Sequence, residues 1–217
     1  GNAGWGYEDV LPYFRKAENL DIGGDDYRGG GGPLHVTAGK MTNPLYRAWV
    51  EAGRQAGYPV TDDMNGYQQE GVGRMDMTVR AGRRWSAYRA HLKPALKRPN
   101  LSLETAALSH HICLFEGRAV GVAYQWHGQR RQVGARGEVI VAGGAINPPQ
   151  LLQLSGIGPG EVLRDAGVAV RHELPGVGRN LQDHLEVYVQ MACRQPVSLF
   201  PGTKPLGSLA VGLRWLA

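Results

Sequence analysis

Cysteine is scarce: two residues, Cys113 and Cys193, far apart in a chain of 217. That excludes a disulfide scaffold and any cysteine-rich metal site, and the two read as buried thiols of a reducing compartment. No apolar run approaches the ~20 residues that span a bilayer. No secretory signal pattern and no internal repeat are present. The paired histidines His110 and His111 are adjacent, so on a strand they point to opposite faces and cannot chelate one metal. His35, His91, His127 and His172 have no partner spacing. No metal site and no catalytic residue is therefore assigned. The 24 Lys and Arg exceed the 19 Asp and Glu by only five and lie in short clusters such as "RAGRRW" and "GQRRQ". This pattern gives no reason to expect a nucleic-acid partner.

What remains is ordinary for a globular protein, with 42% hydrophobic and 20% charged residues. Tyr7 to Glu18 sets Val10, Leu11, Phe14 and Ala17 on one helical face. The loop "GGDDYRGGGGPL" reads as a flexible connector. Asn43 and Pro44 form an N-cap and first-turn pair for a helix toward Gly57. Residues 62–84 look irregular with one strand, and Ser86 caps a helix to about Lys97, interrupted by Pro94.

Beyond residue 100 the pattern changes. "NLSLETAAL" reads as a strand, and "RAVGVAYQW" and "QRRQVGAR" as a β-hairpin joined at His127-Gly128. "GEVIVAGG" is a continuous apolar strand of the kind buried on both faces of a parallel sheet. Helices follow in "NPPQLLQLSG" and in "GEVLRDAG", the latter with Gly167 at its C-terminal end. "VAVRHELPGVG" supplies one more strand, and "LEVYVQMAC" begins another. The fold class is α/β or α+β with a parallel component. The first residues read as loop, and the last helix, with Leu209, Leu213 and Leu216 at helical spacing, simply stops. The expectation is an internal piece of a longer protein.

The stretch "VAGGAINPPQLLQLSGIG" raises the question of function. A buried strand that ends in Gly143-Gly144 and enters a helix lets a cofactor approach main chain. The same glycines can instead serve close packing, and the residues alone leave both readings open. No G-x-G-x-x-G follows a strand, so the chain has no dinucleotide fingerprint of its own.

Four stretches in order resemble the glucose–methanol–choline (GMC) flavoprotein oxidoreductases: "GWGYEDVLPYFRKAEN", "RWSAYRAHLKPALKRPNL", "VAGGAINPPQLLQLSGIG" and "LPGVGRNLQDHLEVYV". Within that family, "YPVTDDMNGYQQEGVGRMDMTVRAGRRWSA" and "LEVYVQMACRQPVSLF" are similar to the choline-oxidising branch. The resemblance implies part of an FAD-binding Rossmann-like domain (86–184). It implies a cap excursion and connecting segments before it (1–85), and the start of a substrate-binding domain after it (185–217). It implies FAD as cofactor and choline as the alcohol substrate, oxidised to betaine aldehyde, and leaves the electron acceptor open. A cytoplasmic site or peripheral attachment to the inner membrane follows as an expectation.

As cofactor-binding positions it implies Leu108, at the adenine end, and Gly143, Gly144 and Ala145, at the turn beside the ADP part. It also implies Asn180, Asp183 and His184, in the turn between cofactor and substrate regions. For Asp183 and His184 an acid–base pair and a hydrogen-bonded turn are alternatives, and short polar side chains at turns favour the turn. Pro148 stands where the family usually has Ser, which removes a hydroxyl and one N–H from the helix start. The resemblance sets the phosphate-binding loop, the catalytic histidine and the specificity carboxylate outside residues 1–217. A dehydrogenase for another alcohol, or a flavin-free relative of the same scaffold, is the alternative.

Overall fold

The computed structural model describes residues 3–216. The chain forms two compact units, Gly1–Ser102 with Gln190–Ala217, and Leu103–Val189.

In the first unit, helix α1 spans Tyr7–Ala17. Asp9 accepts the Gly6 amide at 3.0 Å, and acidic residues in the first turn and basic ones in the last match the helix dipole. Strands β1 (Glu18–Leu20) and β2 (Leu34–Val36) pair in parallel. The glycine-rich loop between them was expected to be a flexible connector, and it is instead closely packed at Gly29 and Gly32. A Cβ at Gly29 would run into the carbonyls of Arg15 and Glu18, and one at Gly32 into those of Lys16 and Ala17. At these two positions the loop lies on the last turn of α1 with no room for a side chain. It also delivers Arg28 to the interior.

Helix α2 spans Pro44–Gln55, and the Asn43 side chain accepts the Leu45 amide at 2.9 Å, as the Asn-Pro pair predicts. Strands β3 (Val79–Arg80) and β4 (Arg83–Arg84) form a hairpin whose turn residues Ala81 and Gly82 both have positive φ. Ser86 does not cap the following helix with its side chain; its carbonyl accepts the Ala90 amide. The chain winds as a π turn, Tyr88–Leu92, before α3, Lys93–Ala95. Pro94 has no N–H for the Ala90 carbonyl, and the Lys93 amide reaches back five residues to Tyr88. A 3-10 turn (Phe200–Thr203) and α6 (Pro205–Leu216) complete the unit, and we number α4 and α5 in the second unit. The strand expected from Leu185 makes no ladder, and Leu185, Val187 and Val189 are exposed. A strand exists only through a partner, and none is present among the described residues.

The second unit is built on an antiparallel meander, β5 (Ala107–Phe115), β6 (Arg118–Trp126) and β7 (Gln129–Gly134). The β6–β7 hairpin turns at His127-Gly128, where both φ values are positive, as predicted from the sequence. The strand read in "NLSLETAAL" starts only at Ala107, after Ala106 breaks the run with a positive φ. A register shift between Ser109 and His111 leaves His110 bulged out of the ladder. Helix α4 spans Asn147–Leu154, and α5 spans Gly160–Asp165, with Gly167 at positive φ just beyond it. Strands β8 (Ile157–Gly158) and β9 (His172–Glu173) pair in parallel. The core gathers Ile112, Leu163 and Val177. Ser155 joins the layers: its Oγ accepts the Ile112 amide at 2.8 Å and donates to the Leu151 carbonyl at 2.6 Å.

One expectation fails here for the same reason as at Leu185. Residues 138–141 join no sheet, and Ile140 is 79% exposed rather than buried. Their apolar run needs strands on both sides, and the described residues supply none. The cysteines are both free, but Cys113 is half-buried and Cys193 exposed, so neither is a buried thiol.

Candidate functional site

The second unit holds a cleft of about 450 Å3 between the start of β5, the unpaired run 139–142 and the inner side of α4. Leu108 and Gly143 line it together with Val141, Gln150, Leu151 and Leu154. Leu108 is there because β5 begins at the cleft mouth, and it is mostly exposed. Gly143 is there because the chain turns sharply into α4. The Asn147 side chain donates to the Gly143 carbonyl at 3.2 Å and ties the turn to the first helical residue. A Cβ on Gly143 would press on Asn147, whereas one on Gly144 would meet nothing within 4 Å. Gly144 has φ +92, a conformation reserved for glycine, so the turn itself requires it.

The chemistry of this cleft is narrow. No ionisable side chain lines it. Pro148 and Pro149 occupy the second and third positions of α4 and donate nothing, and no side chain caps the helix. The helix start therefore cannot cradle a diphosphate as a full set of free amides would. It can take a flat, largely apolar group between Leu108 and the glycine turn, with carbonyls and amides at the edge. The residues fit the adenine end of a dinucleotide cofactor and not its phosphates.

The other positions singled out in the sequence lie apart from this lining. Gly144 and Ala145 continue the same turn without lining the cleft, and both are exposed. Asn180, Asp183 and His184 are exposed and do not line the cleft either. Asn180 has φ +58, and Asp183 Oδ1 accepts the His184 amide at 2.8 Å. That is a local turn contact between neighbours. Among the described residues no group of three His, Cys, Asp or Glu is placed to hold a metal.

Sequence reasoning missed Val139, Ile140, Gln150, Leu151 and Leu154 as cleft residues. The spacing of Gln150, Leu151 and Leu154 on one helical face was a usable signal.

It also missed Arg28 in the first unit. The guanidinium is 4% exposed. Its Nε and Nη2 donate to Glu18 at 3.0 and 2.8 Å, and its Nη1 donates to Asp63 at 2.6 Å and Asp76 at 3.0 Å. The Glu18 hydrogen bond raises the guanidinium's pKa above its ordinary value; burial opposes this, and Asp63 and Asp76 add to it. Asp25 accepts the Tyr27 and Arg28 amides, which holds its carboxyl below the usual value and fixes the loop that carries Arg28.

Comparison with known proteins gives a consistent result. A sequence family described as GMC oxidoreductase matches residues 1–186. The mitochondrial choline dehydrogenase of Mus musculus is 56% identical over 217 residues, all of this chain and 36% of that protein. The oxygen-dependent choline dehydrogenase of Pseudomonas syringae pv. tomato is 58% identical over 98% of this chain and 38% of its own length. The chain thus spans little more than a third of these relatives. Among solved structures, pyridoxine 4-oxidase from Mesorbium loti superposes with a TM-score of 0.77 at 35% identity, covering 85% of this chain and 36% of that one. An FAD-dependent oxidoreductase from Chaetomium thermophilum gives a TM-score of 0.77 at 31% identity, covering 84% and 34%.

Proposed function

The chain belongs to the GMC oxidoreductase family, and from that membership we propose that it is the middle portion of an FAD-dependent dehydrogenase that oxidises choline to betaine aldehyde. The observation that carries this reading is identity of 54–58% along essentially the whole chain to relatives named choline dehydrogenase, in a mammal and in bacteria. Bound FAD supplies the electron acceptor for the hydride that leaves the alcohol carbon.

The chain's own residues have a supporting part. Leu108 and Gly143 would hold the adenine end by contact, with Gly144 and Ala145 continuing the turn that sets Gly143 in place. Leu151 and Leu154 exclude water beneath it. Asp183 fixes the turn it shares with Asn180 and His184 by accepting a backbone amide, and takes no proton from substrate in this reading. The group that removes the hydroxyl proton, the diphosphate loop and the carboxylate that faces the trimethylammonium group lie outside residues 1–217. Residues 86–184 belong to the FAD-binding domain, 1–85 to the cap and connecting segments, and 185–217 open the substrate domain. No helix among the described residues is long and apolar enough to cross a membrane, and the reading includes peripheral attachment to the inner membrane.

The test is anaerobic. The purified full-length protein should show a flavin spectrum that choline bleaches. Bleaching by another primary alcohol but not by choline would leave the family and remove the substrate. A full-length protein without flavin would remove the enzyme reading altogether.

A further inference from the structure

One backbone step in the second unit is not explained by its turns. Glu116 and His127 have positive φ in two-residue hairpin turns, each followed by glycine, where the turn type asks for it. Asn180 is of a residue type that tolerates the left-handed region. Ala106 also has a positive φ, +55, but stands in no hairpin, directly before β5. An alanine held there is strained, and such strain persists only where the surroundings enforce it.

Trp126, at the end of β6, enforces it. Its indole Nε1 donates to the Thr105 carbonyl at 3.1 Å, in the peptide group that leads into Ala106. Trp126 is also the ladder partner of Ala107, the first residue of β5. The indole thus reaches past the end of the ladder and grips the chain on the far side of the strained residue. The ring is itself fixed: the Arg131 guanidinium stands 4.3 Å from its centroid, and the His127 ring meets it edge-on at 4.4 Å. Arg131 also faces Glu104 at 4.0 Å, so one cation touches both the ring and the residue before Thr105. All of these contacts lie within the second unit. Closing the β6–β7 hairpin needs none of the grip on Thr105, because the ladder and the His127-Gly128 turn already do so.

Leu108 is the second residue of β5 and lines the cleft of the candidate site. Without the indole bond, Ala106 relaxes to a negative φ, the start of β5 frays, and Leu108 loses its place at the cleft mouth. We propose that Trp126 is a positioning residue for the adenine end of the cofactor, holding the strained step at Ala106 and so fixing where Leu108 stands. The proposal rests on the reading of Leu108 as an adenine contact and adds the residue that sets it in place.

The experiment measures the dissociation constant of FAD from the full-length protein by equilibrium dialysis, beside urea unfolding of the same protein freed of flavin. Trp126→Phe keeps a ring for Arg131 and removes only the N–H. It should raise the FAD dissociation constant roughly five- to tenfold, since the binding-competent backbone is then populated only part of the time. Adding Ala106→Gly to that variant should restore affinity to within about twofold, because glycine adopts positive φ without strain. A residue that merely stabilises the fold would not be rescued in this way. Ala106→Pro, which fixes φ near about −65°, should weaken FAD at least as much as Trp126→Phe and carries the test if the Phe variant does not fold. Unchanged FAD affinity in Trp126→Phe, lowered urea stability with FAD affinity intact, or a loss that Ala106→Gly does not repair would overturn the proposal. Leu108→Asp separates it from the reading beneath it. If Leu108→Asp leaves FAD affinity unchanged, the adenine contact falls and the proposal with it. If Leu108→Asp weakens FAD and Trp126→Phe does not, the contact stands and only the positioning role falls.

Discussion

Arg28, at 4% exposure, sits inside the first unit among three carboxylates, whereas the most deeply buried large side chain of the second is Leu163. In the first unit one guanidinium joins three sequence-distant segments: Glu18 follows α1, Asp63 lies after α2, and Asp76 precedes the β3–β4 hairpin. The second joins its layers through a β-ladder and one hydroxyl, Ser155. The elements of the first unit are short, and two of its strand pairs hold only two or three residues per strand. Such elements close few backbone hydrogen bonds of their own. A buried cation that answers three segments at once takes over the role that the nine-residue strands β5 and β6 play in the second unit.

The largest expected effect is therefore at Arg28. Arg28→Leu leaves three carboxylates facing one another around an apolar side chain. Breaking a buried ion network by removing one partner destabilises by about 3–5 kcal/mol. In the full-length protein, hydrogen exchange should rise in peptides covering Glu18–Val36 and residues 60–77, and stay unchanged across β5–β7. Loss of protection spread evenly over both units would break the comparison, because the guanidinium would then not be a local hub.

That hub was not legible in the sequence, and the reason is physical. Its three partners are 10, 35 and 48 residues from Arg28, and no local period reports such distances. The glycines around it looked like freedom, because absence of a side chain is the same symbol for a flexible loop and for a packed one. Elements whose cause is local were legible: the His127-Gly128 turn, the Asn43-Pro44 helix start, and the helices over 147–154 and 160–165. Where the cause is a partner, pattern misled: residues 138–141 and the run from Leu185 alternate or stay apolar as strands do, but neither has a neighbour to pair with among the described residues. The candidate site divides the same way. The glycine turn was visible from Gly143-Gly144 alone, while Leu108 entered only through resemblance to a family, since nothing local marks a strand-end leucine as a contact. Pro94 widening its helix into a π turn was partly visible, as an interruption without a geometry.

The counterpart in the second unit is Ser155. Ser155→Ala removes the acceptor of the buried Ile112 amide and the donor to Leu151. An unsatisfied buried amide costs about 1–3 kcal/mol. The effect should be smaller than at Arg28, because one neutral group is stranded rather than three charges. Urea unfolding of the full-length protein measures the loss, and exchange should rise in β5 and α4 with the first unit unchanged. A loss as large as that of Arg28→Leu would mean that a single hydroxyl, and not the ladder, holds the second unit.

The smallest effect sharpens what burial contributes. Arg54 makes the same bidentate contact to Glu51 that Arg28 makes to Glu18, with Nε and Nη2 at 2.8 and 2.7 Å, but on the open surface of α2. The Arg54 hydrogen bonds, with a further one from Gln55, pull the Glu51 carboxyl down to about 2. A carboxyl lowered by folding contributes stability above its ordinary pKa, and that contribution is lost as pH falls toward about 2. The side chains are 63% and 48% exposed, so water and salt screen the pair. Glu51→Gln should therefore shift the midpoint of thermal unfolding by less than about 2 °C at neutral pH. The shift should shrink further in high salt and vanish in acid, where wild type and variant are both uncharged at this position. A shift at neutral pH comparable to that of Arg28→Leu would show that bidentate geometry, rather than burial among three carboxylates, is what stabilises the first unit.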